Sequence, residues 1–258
     1  MNKKIYLLLP LIMFVLQAFS EENLTCDLPT KDFKIRDSIK TAEGDYSYYD
    51  VKIAIPKKGG AVTAAVCDSI YGWVCKFCNS AYTKKIDQLL KEESKTYFDS
   101  YREETGGELT GFAWYFENDI RPVAYCSEYI TMNVEGYDYR GGAHGMPFNY
   151  CVTFRMSDGH RILWSDYTDN GEEIRPFINE QLDSEWFGED SSLQPLPYNE
   201  PWILGSDIVF HYTPYEIAPF AAGMPEATLH YTNIEKWLKP WVIKACKTFD
   251  KEKNKKGE

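Results

Sequence analysis

The order of hydrophobic patterns along the chain restricts its fold more than any other sequence feature. Alternating apolar residues, typical of strands, recur in segments 32–42, 47–56, 112–116, 125–134, 149–156, 161–164 and 208–212. Apolar residues at every third or fourth position, typical of helices, recur in segments 62–77, 82–101, 171–182 and 234–249, the last expected to kink at Pro240. Strands and helices therefore come in runs instead of strict alternation. This order predicts an α+β fold with mostly antiparallel pairing.

The first twenty residues are typical of a secretory signal peptide. Lys3 and Lys4 precede an apolar run from Ile5 to Phe19, and small residues at Ala18 and Ser20 suit a signal peptidase. A membrane-spanning helix needs about 20 apolar residues, so this run is short for one. We expect cleavage before Glu21 and a periplasmic or secreted protein. A retained signal, and with it a membrane anchor, is the alternative.

The net charge is negative and limits the classes of partner. It is −11 for the whole chain, and removal of residues 1–20, which hold two lysines and no acid, makes it −13. Nucleic-acid binding requires clustered Lys and Arg, so we expect none. A cationic partner is compatible with this charge. Solubility alone also accounts for it.

Seven cysteines follow the signal segment, and an exported protein is expected to oxidise them. The disulfide candidates are Cys67, Cys75, Cys78, Cys126 and Cys151. An odd total leaves at least one thiol free or paired between molecules, and the pairing cannot be deduced from the sequence. Cys75 and Cys78 have the spacing of a redox pair, but they come late in a predicted helix. A structural disulfide or buried thiols are therefore favoured there.

No catalytic, cofactor or metal motif is present. The sequence lacks the serine hydrolase, zinc peptidase, nucleotide and dinucleotide patterns, and its four histidines are too scattered to predict a zinc site. Asp166 to Gly171 has the oxygen spacing of a calcium loop. However, the twelfth position, where a glutamate should bind the ion, is Phe177. A helix cap at Asn170 is the favoured interpretation. We expect no catalytic residue, cofactor or metal.

The most specific string in the chain is Asp138-Tyr139-Arg140-Gly141-Gly142-Ala143-His144-Gly145. Three glycines in five residues indicate unusual backbone dihedrals or a close approach of the backbone to other atoms. His144 could act as a general base or ligand. Because no nucleophile or carboxylate motif accompanies it, a hydrogen-bonded structural histidine is favoured.

Tyr139-Arg-Gly-Gly-Ala-His144-Gly145, Trp164-Ser-Asp166 and Tyr215-Glu-Ile-Ala-Pro-Phe-Ala-Ala-Gly223 together resemble one family. It is the RsiV-like domain of unknown function, the extracellular domain of the anti-sigma factor RsiV, which also occurs beside the catalytic domain of some peptidoglycan deacetylases. The resemblance covers about residues 110–245. It implies two lobes, each with helices packed on a mostly antiparallel sheet. The expected division is a signal at 1–20, an N-terminal lobe at 21–109, an RsiV-like domain at 110–250 and a disordered tail at 251–258.

The resemblance also implies a function class, because family members sense lysozyme or bind at the cell envelope. We expect a non-catalytic envelope binding module for a cationic protein such as lysozyme or for a peptidoglycan fragment. Only four residues precede the apolar run, so we expect no sigma-binding segment. The alternative is a hydrolase of envelope polymers that uses His144 with Asp166 or Glu216. The candidate binding or motif residues are Tyr139, Gly141, Gly142, His144, Gly145, Tyr215 and Glu216.

Overall fold

A computed structural model describes residues 26–77, 85–109, 111–182 and 194–256. The strands are β1 (Thr30–Lys40), β2 (Tyr46–Pro56), β3 (Tyr115–Tyr125), β4 (Tyr129–Tyr139), β5 (Met146–Arg155), β6 (Trp202–Leu204), β7 (Asp207–His211) and β8 (Glu226–His230). The helices are α1 (Ala64–Phe77), α2 (Ile86–Glu104), α3 (Trp164–Tyr167), α4 (Gly171–Asn179), α5 (Tyr231–Ile234) and α6 (Pro240–Lys256). The predicted α+β class is confirmed.

Strands β1 to β5 form one sheet in sequence order. All neighbours pair antiparallel except β2 and β3, which run parallel because α1 and α2 lie between them in the chain. The sheet and these two helices enclose the first core. Alternate residues of β2, such as Val51, Ile53 and Ile55, point into that core and are at most 6% exposed.

Strands β6, β7 and β8 form a second, antiparallel sheet, which packs with helices α3 to α6 around a second core. The two cores overlap in sequence. The first draws on residues from Leu28 to Met156, and the second draws on residues from Ala124 to Cys246. The expected boundary between residues 109 and 110 therefore falls inside the sequence span of the first core, because β3, β4 and β5 extend the sheet that β1 and β2 begin.

Two local predictions differ from the structure. Segment 161–164, which the sequence predicts to be a strand, pairs only through an isolated bridge between Arg161 and Phe154, because the chain enters α3 at Trp164. The last helix is not kinked at Pro240 but begins there, at a position where the missing N–H of proline removes no helical bond.

The ends of the chain complete the description. Helix α6 runs to Lys256, so residues 251–256 are helical where a disordered tail is expected from the sequence, and 257–258 lie outside the described residues. The predicted signal segment at 1–20 also lies outside them. Within the described ranges, no helix has an apolar stretch that is long enough to cross a membrane.

Candidate functional site

The glycine-rich loop lies between β4 and β5. Gly141 and Gly142 have φ values of 94° and 95°, which residues with a Cβ atom rarely adopt. The hydroxyl of Tyr139 donates a hydrogen bond to the carbonyl oxygen of Gly142, at 3.0 Å. The left-handed backbone and this bond fold the loop back over the end of its own strand.

Gly145 serves the loop in a different way, by close packing against Tyr137 of β4. Its N–H donates a hydrogen bond of 2.9 Å to the Tyr137 hydroxyl. A Cβ at Gly145 would lie 2.4 Å from the Tyr137 ring and 2.7 Å from the carbonyl oxygen of Asp138. Only glycine fits between that ring and the backbone.

His144 contacts a second loop, the one that joins β7 to β8. The Tyr215 hydroxyl lies 3.2 Å from His144 Nε2, and the Phe220 ring stacks on the imidazole with a centroid separation of 3.9 Å. His144 Nδ1 lies 3.1 Å from the Gly145 carbonyl oxygen. A proton on Nδ1 is therefore donated to that carbonyl, and Nε2 accepts from the tyrosine.

The second loop is held by Glu216. Its carboxylate accepts hydrogen bonds from the N–H of Thr213 at 2.8 Å and from the N–H of Tyr198 at 2.8 Å. Tyr215 has a φ of 68° and is 55% exposed. Glu216 thus stabilises the backbone, while Tyr215 stands at the surface in a conformation that is uncommon for a residue other than glycine.

The hydrolase alternative needs an acid bonded to His144, but both candidate acids are hydrogen-bonded to other groups. Asp166 Oδ2 lies 2.9 Å from His160 Nε2 and accepts the Leu163 N–H at 2.9 Å. Burial opposes ionisation of Asp166, yet these bonds lower its pKa. In the described part of the chain, no group of three or more His, Cys, Asp and Glu could hold a metal.

The helix cap predicted at Asn170 is formed only in part. Helix α4 begins directly after Asn170, but the Asn170 side chain makes no capping hydrogen bond.

A row of tyrosines crosses the sheet beside the glycine loop. Tyr48 of β2, Tyr115 of β3 and Tyr139 of β4 are aligned across the strands, with ring centroids 4.9 Å and 5.6 Å apart. We call these three residues the tyrosine row. They lie on the face opposite the first core and are only partly buried. Tyr139 joins the row to the glycine loop, so the row and both loops form one continuous surface.

Charged side chains share this face with the tyrosine row. The carboxylates of Asp50, Glu117, Asp119 and Glu135 share this face with Lys52 and Arg121, and with Lys34, Arg36 and Lys40 of β1, of which Arg36 lies 3.6 Å from Asp50. Glu117 accepts a 2.7 Å bond from the Tyr48 hydroxyl, and Arg121 donates to both oxygens of Glu135, at 2.9 and 3.3 Å. Burial, followed by the bond to Glu117, raises the pKa of Tyr48. The surface is therefore aromatic and carries charges of both signs.

Sequence reasoning identifies Tyr139, His144 and Tyr215 but misses other parts of this surface. Phe220 stacks on His144, and Phe112 is 67% exposed beside Gly141. Phe220 lies inside the string that suggests the resemblance, and Tyr48 follows Tyr46 at strand spacing. Those two signals could have found Phe220 and Tyr48. Nothing in the sequence indicates that the two loops meet.

The predicted disulfides are not found among the described residues. Cys67, Cys75, Cys126 and Cys151 are buried free thiols, as is Cys246, while Cys78 lies outside the described ranges. Two of them donate hydrogen bonds in different regions of the protein. Cys67 donates to the Pro56 carbonyl at 3.4 Å, and Cys151 donates to Asn133 Oδ1 at 3.3 Å.

Part of the chain matches the model of a known family. Residues 162–232 match the family described as "Protein of unknown function (DUF3298)". This stretch contains the Tyr215 loop but not the glycine loop, and it is shorter than the 110–245 covered by the RsiV-like resemblance. No curated protein matches the chain.

Two solved structures of DUF3298 family proteins have a similar fold. One, from Bacteroides fragilis NCTC 9343, is 18% identical, with a TM-score of 0.72, and the alignment covers 86% of this chain and 98% of that one. The other, from Pseudomonas aeruginosa PAO1, is 13% identical, with a TM-score of 0.56, and covers 85% and 98%. At these identities the similarity concerns the fold, and it extends over most of this chain.

Proposed function

We propose that this protein is an exported, non-catalytic binding module of the cell envelope that recognises a cationic protein of the lysozyme type. The binding surface comprises the tyrosine row and the two loops that carry His144 and Tyr215. The contact between His144 and Tyr215 is the observation on which the proposal rests, because it joins two surface loops beside an open aromatic face. The RsiV-like resemblance supports the same class of partner.

Exposure and backbone strain support a binding role for Tyr215. Its side chain is 55% exposed, so burial of the ring contributes little to the stability of the fold. Its φ of 68° is unfavourable for a bulky residue. Strained residues cluster at ligand sites, where the surrounding structure holds them in place. Here the carboxylate of Glu216 holds the adjacent backbone.

The packing of the tyrosines favours a protein over a sugar. The rings of Tyr115 and Tyr139 are nearly parallel, at 19°, so each covers part of the face of its neighbour. Stacking on a sugar requires a free aromatic face, which this arrangement reduces. Tyrosines that offer ring edges and hydroxyls are instead common in protein interfaces. A peptidoglycan fragment is the other ligand to test, because Phe112 is exposed beside the glycine loop.

Charge favours a cationic partner. The chain as a whole carries a net charge of −11. A field of this sign speeds the encounter with a basic protein. Salt screens it, since the Debye length falls from about 10 Å at 0.1 M to about 3 Å at 1 M.

Surface plasmon resonance with an immobilised cationic lysozyme tests the proposal. We expect binding at low salt, and an on-rate that falls about tenfold or more between 50 and 500 mM salt while the off-rate changes less. His144→Ala and Tyr139→Ala should weaken binding at every salt concentration. His160→Gln is the matched control, because this exposed histidine lies beyond the opposite end of β5.

The outcomes separate the candidate functions. Absence of binding at low salt would exclude a cationic partner. Binding that is unchanged in the loop variants would exclude this surface as the binding site. Binding to soluble peptidoglycan fragments, but not to lysozyme, would favour the glycan. Release of product from purified peptidoglycan, abolished in His144→Ala, would replace the binding proposal with the hydrolase.

Export is tested separately, by N-terminal sequencing of the exported protein. The sequence should begin at Glu21, and recovery of the uncleaved chain in membranes would contradict the predicted signal cleavage.

A further inference from the structure

Two thiols from distant parts of the sequence meet in the second core. Cys126 lies in the turn between β3 and β4, and Cys246 lies on α6. Cys126 Sγ is 3.7 Å from the carbonyl oxygen of Ala245, the residue before Cys246. The two cysteines are 1% and 0% exposed and belong to the same core.

Hydrogen bonds fix the backbone on both sides of this contact. The N–H of Cys126 donates to the Tyr129 carbonyl oxygen at 3.0 Å, and the Ser206 hydroxyl donates to the Cys246 carbonyl oxygen at 3.4 Å. The thiols also interact electrostatically, since Cys126 contributes to the raised pKa of Cys246, although burial is the larger cause. The fold therefore holds Cys126 against the turn of α6 that carries Cys246.

We infer that Cys126 and Cys246 form a disulfide when the chain folds under oxidising conditions, and that this bond ties α6 to the β3–β4 turn. The oxidant is a disulfide, such as oxidised glutathione or a disulfide oxidoreductase. One cysteine thiolate attacks it and releases the first thiol. The second cysteine then attacks the mixed disulfide and releases the other. The two cysteines lose two electrons and two protons, and the oxidant becomes two thiols.

The timing of the reaction follows from burial. Burial raises the pKa of Cys126 to about 11 and that of Cys246 to about 12. In the folded, reduced protein the thiolates are therefore scarce and inaccessible, and oxidation is slow. The bond forms before α6 docks on the sheet. It closes a long loop, from residue 126 to residue 246, so it restricts the unfolded chain strongly.

Refolding of the full chain in glutathione redox buffer, compared with refolding in dithiothreitol, tests this inference. After alkylation of free thiols and digestion without reduction, mass spectrometry should find one linked peptide pair that contains residues 126 and 246. The oxidised protein should melt about 10 °C above the reduced one. Cys126→Ser and Cys246→Ser should abolish that difference, whereas Cys151→Ser, which replaces another buried thiol, should keep it.

Packing without a bond gives a different result. If the thiols only pack, the serine variants lower the melting temperature equally in oxidising and reducing buffer. That result overturns the inference, as does the recovery of residues 126 and 246 as alkylated thiols from the oxidised sample. A linked peptide that joins Cys126 to any other cysteine overturns it as well.

Discussion

The hydroxyl of Tyr215 lies 3.2 Å from Nε2 of His144, although 71 positions separate the two residues in the sequence. His144 belongs to a loop of the five-stranded sheet, and Tyr215 belongs to a loop of the three-stranded sheet. The contact therefore links the loops of the two sheets. A ligand that binds across it depends on the two sheets keeping their relative positions, which the packing of β6 on β3 to β5 helps to fix.

Replacement of Gly145 by alanine should destabilise the protein by about 1–3 kcal/mol, because the new Cβ would meet the Tyr137 ring and the Asp138 carbonyl oxygen. Chemical denaturation measures the change. Gly60→Ala is the matched control, since nothing lies within 4 Å of a Cβ there and its φ is not left-handed. Equal stabilities of the two variants would show that Gly145 is not required by packing.

Much of the fold could be predicted from local sequence patterns. The β1–β2 hairpin and helix α1 lie within two residues of their predicted ranges, because each has a strong apolar period and its own stop signal. Strands β6 and β8 have no such signal. They are three and five residues long, too short to establish a period, and they exist because they pair with β7.

The candidate site could be predicted only in part. The role of the loop glycines could be predicted from the sequence, because three glycines within five residues already indicate unusual backbone dihedrals or close backbone packing. The partners of His144 could not be predicted, since the contact with Tyr215 and Phe220 arises from the packing of one sheet on the other. Asp166 and Glu216 are equally suitable as acids in the sequence, but local hydrogen bonds engage both.

Replacement of Tyr215 by glycine should separate stability from binding. Glycine adopts a φ of 68° without strain, which is worth about 1 kcal/mol, and the lost ring was 55% exposed. We expect a variant that is at least as stable as the parent and that binds the cationic partner more weakly. Thermal melting and plasmon resonance measure the two effects. Tyr215→Phe is the companion variant, because it keeps the ring and the strain but loses the hydroxyl bond to His144.

Replacement of Glu226 by glutamine should change how stability depends on pH. Burial raises the pKa of Glu226 from 4.5 to about 7, so the unfolded chain ionises first as pH rises. The contribution of this carboxyl is complete below pH 4.5 and is lost as pH approaches 7. From pH 4.5 to pH 7.5, Glu226→Gln should gain about 2–3 kcal/mol relative to the parent. Urea denaturation across that range measures it, with the exposed Glu173→Gln as control.

His211 is the cross-strand partner of Glu226, and its environment is unfavourable to charge in the same way. Its side chain is 3% exposed, its ring lies 5.5 Å from that of Trp202, and neither ring nitrogen has a hydrogen-bond partner among the described residues. Burial lowers the pKa of His211 from 6.5 to about 4. The imidazole is therefore neutral in the folded protein at pH values where the unfolded chain is already protonated.

Replacement of His211 by phenylalanine should remove a loss of stability on acidification. In the parent, the contribution of the neutral imidazole is complete above pH 6.5 and is lost as pH falls towards 4, by about 3 kcal/mol in all. This slope is opposite in sign to that of Glu226, so the two partly cancel between pH 4.5 and pH 6.5. His211→Phe should expose the Glu226 slope alone, with stability that falls as pH rises through this window. Urea denaturation measures it, with the exposed His230→Phe as control. If His211 and Glu226 instead form an ion pair in the folded protein, His211→Phe would lower stability most near pH 5.5, and the neutral assignment of both side chains would be wrong.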